Sequence, residues 1–309
     1  MAAVDQEAFV RILCREEHGV AATRAPRPKG EMHVSKLMTL LAALVAAFAI
    51  SVVPAGAVTD GQLDGDGHPS VVLLLMEVDN APAFRCSATL LSATVVLTAG
   101  HCTNNFPGSP FTGMRVFTDS DVQAGIGTTN NYPFAGPNAY EADSWAAHPL
   151  YETAPFFVHD VGVVVLEGSG VPTSVIPASS YGVLPGLNAL DTLKTRRSTT
   201  FTSVGYGLQK SFPTAAAWKN AASRTRYVAH PYLIQINGGI VGNFSLLLSN
   251  NASSGGTCFG DSGGPNFLGS TNVIAGITSF GLNRPCGGTG GVFRTDRQDV
   301  RDFVNGYLP

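Results

Sequence analysis

Charge is scarce in this chain. Asp, Glu, Lys and Arg together make up 13% of its 309 residues, against about a quarter in an ordinary soluble domain. The formal net charge is −3, so there is no basic excess to attract nucleic acid. Cysteine is also sparse, at five residues. No Cys-x-x-Cys or His-x-x-x-His spacing occurs among the motifs, which argues against a zinc centre. Long apolar runs are missing after residue 57, so nothing in the body of the chain is read as crossing a membrane. What the chain has in quantity is glycine, 35 residues, together with 19 prolines. Few charges and many turn-formers fit a β-rich extracellular domain better than a helical one.

The N-terminus reads as a targeting segment. From Met32 a short polar start with His33 and Lys36 leads into the apolar run Leu37–Val53 and then Ala55-Gly56-Ala57. A short positive region, an apolar stretch and a small-x-small site make a secretory signal peptide over 32–57. Residues 1–31 are read as an N-terminal extension or a misassigned start of translation. The folded domain is then 58–309. Cys14 falls in the discarded part, leaving Cys86, Cys102, Cys258 and Cys286. An even count in an oxidising compartment suggests two disulfides; of the three possible pairings, the local one closes short loops.

Along 58–309, β-branched apolar runs alternate with turn signals. The stretches 70–78, 87–99, 160–168, 198–207 and 271–281 read as strands. The polar stretch 208–226 reads as a long surface loop. The acidic "DGQLDGDG" (60–67) reads as a solvated turn in preference to a calcium loop. Only the end has helical spacing: Val300, Phe303, Val304 and Leu308 recur on one face, with Asp296 placed to cap the start. Many short strands and one terminal helix predict an all-β barrel or sandwich.

The segment "GTCFGDSGGPNF" (255–266) surrounds Ser262 with glycine. Such clusters persist where the main chain takes unusual dihedrals or approaches another group closely. A flexible surface turn is one reading; a serine nucleophile with neighbouring N–H groups aimed at a developing oxyanion is the other. A serine nucleophile needs a base and a group to orient that base. Of His68, His101, His148, His159 and His230, His101 stands out, at the end of an apolar strand and directly before Cys102. Asp160 opens "DVGVVVL" (160–166), where burial of a carboxylate is costly without a partner.

"LTAGHC" (97–102), "DVGVVVL" (160–166) and "GDSGGP" (260–265), in that order, resemble the chymotrypsin-like serine proteases of the trypsin superfamily. "HPLY" (148–151), "GYG" (205–207) and "TSFG" (278–281) add to the likeness, which spans nearly all of 58–309. The resemblance implies two packed six-stranded antiparallel β-barrels with a C-terminal α-helix. It implies a secreted, monomeric endopeptidase that acts on protein or peptide substrates. No cofactor, metal, nucleic acid or, once the leader is removed, membrane is expected. Ser262 would be the nucleophile, His101 the base and Asp160 its orienting partner. The N–H groups of Gly260 and Ser262 would form the oxyanion hole, and Ser279 would support Asp160. Disulfides Cys86–Cys102 and Cys258–Cys286 would brace the histidine loop and the pocket walls.

The resemblance also places Gly256 at the base of the specificity pocket, with Phe280 and Gly281 on the substrate-binding strand and Gly281 and Gly291 as walls. With no carboxylate at 256, no strong preference for Lys or Arg at P1 is expected, and an open pocket would suit large apolar side chains. Arg284 at its mouth would favour acidic ones. Val58, freed by signal peptidase, would insert and pair its ammonium with Asp261. Gly100 and Gly162 stand where the family usually carries alanine, which predicts local looseness. A non-catalytic binding protein on the same scaffold and an esterase using the same triad stay open as alternatives.

Overall fold

The computed structural model describes residues 58–105, 110–151, 158–209, 224–283 and 286–309. The expected extension 1–31, the expected leader 32–57 and Arg284 lie outside them. Among the described residues no helix is long and apolar enough to cross a membrane.

The first half forms a closed barrel. After β1 (Gln62–Leu63), its strands are β2 (Val71–Val78), β3 (Ala81–Leu90), β4 (Val95–Thr98), β5 (Phe111–Phe117), β6 (Ala139–Ala147) and β7 (Gly162–Leu166), ordered β2-β3-β4-β7-β6-β5. β2 is buried from Val71 to Met76 on both of its faces. One face fills the barrel and the other packs toward the second sheet, which is why this run is apolar throughout instead of alternating. The stretch 87–99, read as one strand, is two. Ser92 Oγ accepts the N–H of Val95, and Leu91 N–H donates to Val95 O, so the chain turns between β3 and β4.

The second half carries β8 (Phe201–Gly205), β9 (Tyr227–Ala229), β10 (Leu233–Gln235), β11 (Ser245–Asn250), β12 (Pro265–Leu268), β13 (Ile274–Gly281) and β14 (Gly288–Arg294). They form an eight-stranded sheet in the order β1-β9-β8-β12-β13-β14-β11-β10, which curls without closing. It is the second barrel-like half expected, with two short strands, β1 and β10, at its edges. One apolar cluster joins the halves, running from Val71–Met76 and Val163–Val164 to Val204, Phe267, Ile277 and Phe293.

A short helix, α1 (Gly100–Thr103), follows β4, and α2 (Gln298–Asn305) ends the fold. α2 buries Val300 and Val304 against the common core, as its spacing predicts. Asp296 does not cap it. Arg297 is the cap residue, while the Asp296 carboxylate accepts from Arg294 and from the Leu190 N–H.

The end of the stretch 208–226 is not surface. Arg226 is 1% exposed and its guanidinium donates to Asp64 Oδ2 at 2.8 Å, to Val71 O at 2.9 Å and to Tyr206 Oη at 3.2 Å. Asp64 also holds His68 Nδ1 at 2.5 Å. In the acidic run Asp64 is thus anchored, while Asp60 and Asp66 stay exposed to solvent as expected. Burial raises the Asp64 carboxyl, but His68 and Arg226 outweigh it and hold the group below its ordinary value. Burial pushes the Tyr206 phenol up to about 12.

Candidate active site

β4 delivers the chain into α1, and the Cys86–Cys102 disulfide ties that turn back to β3. His101 therefore sits on a short segment fixed at both ends. Its N–H donates to Asp160 Oδ1 at 2.9 Å, and its Nδ1 lies 2.9 Å from Asp160 Oδ2. Asp160 is fully buried. It enters from a tight turn in which His159 takes a left-handed φ of 59° and accepts the Val161 N–H. Ser279 Oγ donates to Asp160 Oδ2 at 2.5 Å. Three donors converge on one carboxylate. With Nδ1 donating to Asp160, the Nε2 of His101 is left with its lone pair.

The expected looseness at Gly100 and Gly162 is corrected by the packing. A Cβ at Gly162 would overlap Thr103 Oγ1 and stand 2.8 Å from Ala99 O; at Gly100 it would meet the Tyr151 ring at 3.0 Å and Val161 N at 3.1 Å. Larger neighbours have taken the methyl's place.

Ser262 lies on the loop from Cys258 to β12 and is partly exposed. The N–H groups of Asp261, Gly263 and Gly264 donate to Cys258 O, Thr278 O and Asp261 O. Among the described residues, those of Gly260 and Ser262 donate to nothing. Gly260 has φ +94° and Gly263 φ +78°, a region that glycine enters without penalty. A Cβ at Gly263 would also stand 2.5 Å from Ser87 O and 2.9 Å from Ala99 N. The loop is thus pressed onto β3 and onto the residues leading into His101. Ser262 Oγ makes no hydrogen bond to His101 in this structure, whereas His101, Asp160 and Ser279 are joined directly.

Ser87 was not legible as a site residue. It is fully buried, its N–H donates to Ser262 O at 2.8 Å, and its Oγ donates to Gly260 O at 2.9 Å and accepts from Tyr206 N–H. The one available signal was a hydroxyl inside an apolar strand.

Asp261 is fully buried and accepts the N–H groups of Gly207 and Cys258, each at 2.8 Å. Among the described residues no cation pairs with it. Burial pushes its carboxyl up to about 7 despite those two bonds. Val58 is fully buried against Tyr227 and Ala229, and Gly256 N–H donates to Thr59 O at 3.0 Å.

Around the glycines that the resemblance assigns to the pocket, neighbours crowd Gly256 and Gly291 but leave Gly281 clear. The second disulfide, Cys258–Cys286, links the Ser262 loop to the segment before β14. A Cβ at Gly291 would lie 2.5 Å from two carbons of the Phe280 ring, and one at Gly290 would lie 2.9 Å from Thr257 Oγ1. Phe280 pairs with Gly291 after a register shift past Thr278, so its ring stands over that glycine. Gly281 meets only Asn283 O, at 3.7 Å. Where a side chain at 256 would stand lies the Asn250 carboxamide, with Oδ1 at 2.5 Å.

Among the described residues, two groups place potential metal ligands together. Cys86 and Cys102, beside His101, are consumed by their disulfide. In the other, His148, His159 and Asp299, His148 stacks on His159 and its Nδ1 accepts the Leu150 N–H. Its proton then sits on Nε2, leaving no lone pair for an ion. Burial, followed by the neighbouring His159, lowers the His148 pKa.

The Trypsin family model matches residues 66–304. No curated protein sequence matches the chain. Among solved structures, HL collagenase is similar at 18% identity and TM-score 0.57, covering 80% of this chain and 97% of its own. A mutant of human heparin binding protein has 18% identity and TM-score 0.57, over 81% and 96%. The protease Anisep from Arthrobacter nicotinovorans has 17% identity and TM-score 0.55, over 77% and 94%. At these identities the likeness is one of fold.

Proposed function

The chain belongs to the trypsin family, and from that premise we propose that it is a secreted serine endopeptidase acting through His101, Asp160 and Ser262. Ser262 Oγ attacks the scissile carbonyl and His101 Nε2 takes its proton. Asp160 fixes the tautomer and stabilises the imidazolium, and His101 then protonates the leaving amine. Water repeats the sequence on the acyl-enzyme. The N–H groups of Gly260 and Ser262 receive the oxyanion. The observation that carries this reading is a His101–Asp160 pair locked by Ser279, beside a glycine loop that packs on Thr98 and Ala99 and holds two N–H donors unclaimed among the described residues.

Two disulfides and the family point to an extracellular protein. In our reading residues 32–57 direct secretion, and cleavage after Ala57 leaves 58–309 as a monomeric enzyme. The new Val58 ammonium then pairs with Asp261, whose buried carboxylate has no counter-charge among the described residues. With glycine at 256, Lys and Arg are not strongly preferred at P1.

The test is labelling by a fluorophosphonate together with casein hydrolysis. The expected result is labelling at Ser262 and cleavage, both lost in Ser262→Ala. A secreted, folded chain that takes no label is a binding protein on this scaffold. One that takes label and cleaves short acyl esters but no casein is an esterase. N-terminal sequencing of active enzyme is expected to begin at Val58.

A further inference from the structure

Glycine at 256 does not leave a hole. The carboxamide of Asn250, at the end of β11, fills the space that a side chain at 256 would enter, with its Oδ1 2.5 Å and its Cβ 2.6 Å from that point. Asn250 is 2% exposed, and both ends of its amide are committed. Nδ2 donates to Thr257 O at 2.7 Å, and Oδ1 accepts from Thr59 Oγ1 at 2.6 Å. Thr59 Oγ1 also lies 3.1 Å from Gly256 O, and Thr59 O accepts the Gly256 N–H at 3.0 Å. Thr59 is itself 6% exposed. One amide therefore bridges the buried 58–59 segment and residues 256–257.

We infer that Asn250 is a positioning and specificity-determining residue: it forms the floor of the P1 pocket in place of residue 256, and Thr59 latches it there. This inference rests on the protease reading above. When the 58–59 segment is docked, the Thr59 hydroxyl supplies the one donor that Asn250 Oδ1 has among the described residues. When it is not, a buried acceptor loses its partner, and the tether from Asn250 to Thr257 loses its fixed end. Docking of the first residues is thereby felt at the pocket floor through side chains, separately from any ion pair at Asp261. The floor offers P1 a neutral amide whose polar atoms are already bonded, which suits an uncharged side chain.

The test compares P1 profiles, kcat and KM of the active enzyme with those of Thr59→Val, Thr59→Ser and Asn250→Asp. Thr59→Val keeps the shape and removes the hydroxyl. It is expected to raise KM about tenfold with a much smaller change in kcat, and Thr59→Ser to restore the parent value. Asn250→Asp puts a carboxylate on the floor and is expected to move P1 preference toward Lys and Arg by about tenfold. A Thr59→Val enzyme with parental KM and P1 profile overturns the inference, even if its thermal midpoint falls, because that is a structural role alone. So does a folded Asn250→Asp enzyme with an unchanged profile. If Asn250→Asp fails to fold, the Thr59 pair still decides. A parent that takes no fluorophosphonate label overturns the protease reading and this inference together; a labelled parent with unresponsive variants overturns only this one.

Discussion

Gly263 is packed directly against Thr98: a Cβ on the glycine would overlap the threonine Oγ1, with Ser87 O 2.5 Å away on the same side. This closeness sets how far the Ser262 loop stands from the segment carrying His101. Gly263→Ala adds a methyl where backbone atoms leave no room and where φ is +78°. The expected cost is about 1–3 kcal/mol of stability. Fluorophosphonate labelling is expected to slow by about a hundredfold as Ser262 is displaced. Chemical denaturation and labelling rates measure both.

Asp160→Asn keeps the shape of the buried group but offers an amide N–H where His101 Nδ1–H now points. The ring is then driven to the other tautomer, and kcat is expected to fall about 10⁴-fold with KM little changed. Ser279→Ala removes only one of the three donors and is expected to cost far less. Steady-state kinetics on one peptide substrate rank the two; a Ser279→Ala loss as deep as that of Asp160→Asn would contradict the order.

Asp261 gives a pH signature. In the uncleaved chain its folded pKa, about 7, lies above the usual 3.8, so the folded state holds the proton more tightly than the unfolded one. Stability is then highest below the unfolded value and falls as pH rises toward 7, by on the order of 4 kcal/mol. Once an ammonium at Val58 pairs with the carboxylate, that fall is expected to vanish. Thermal midpoints of Ser262→Ala protein between pH 4 and 8, full-length against a chain beginning at Val58, test it. Parallel profiles would rule out the pairing.

Gly162 and Thr103 are expected to behave as a coupled pair. Gly162→Ala alone pushes a methyl into Thr103 Oγ1 and toward Ala99 O, with an expected loss of about 1–3 kcal/mol. Adding Thr103→Ala vacates the space and is expected to recover part of that loss. A double-mutant cycle measures the interaction; additive losses would show that the backbone carbonyl, not the threonine, sets the limit.

Much of this site was legible because its chemistry needs particular residues at particular spacings. The serine loop, the histidine before Cys102 and the aspartate before an apolar strand all announce themselves. The pocket did not. Gly256 and Gly291 read as open space, but what fills a glycine's space is decided by neighbours that sequence pattern does not reveal, here Asn250 from another strand and Phe280 after a register shift. The buried Arg226 at the end of a polar stretch was hidden for the same reason: its partners Asp64 and Val71 lie more than a hundred residues upstream. The edge strands β1 and β10 were also out of reach, since segments of two and three residues carry no periodicity to read.

β1, nearly the first segment of the described domain, pairs with β9 at the edge of the second sheet and not with the barrel that follows it in sequence. During synthesis the residues around Gln62 therefore leave the ribosome long before Tyr227 and Val228 exist to receive them. The closed barrel can assemble from its own six strands while this opening segment waits. Pairing of β1 with β9 is then a return of an early segment to a much later one, and any tether that holds the start of the domain away delays the second half alone.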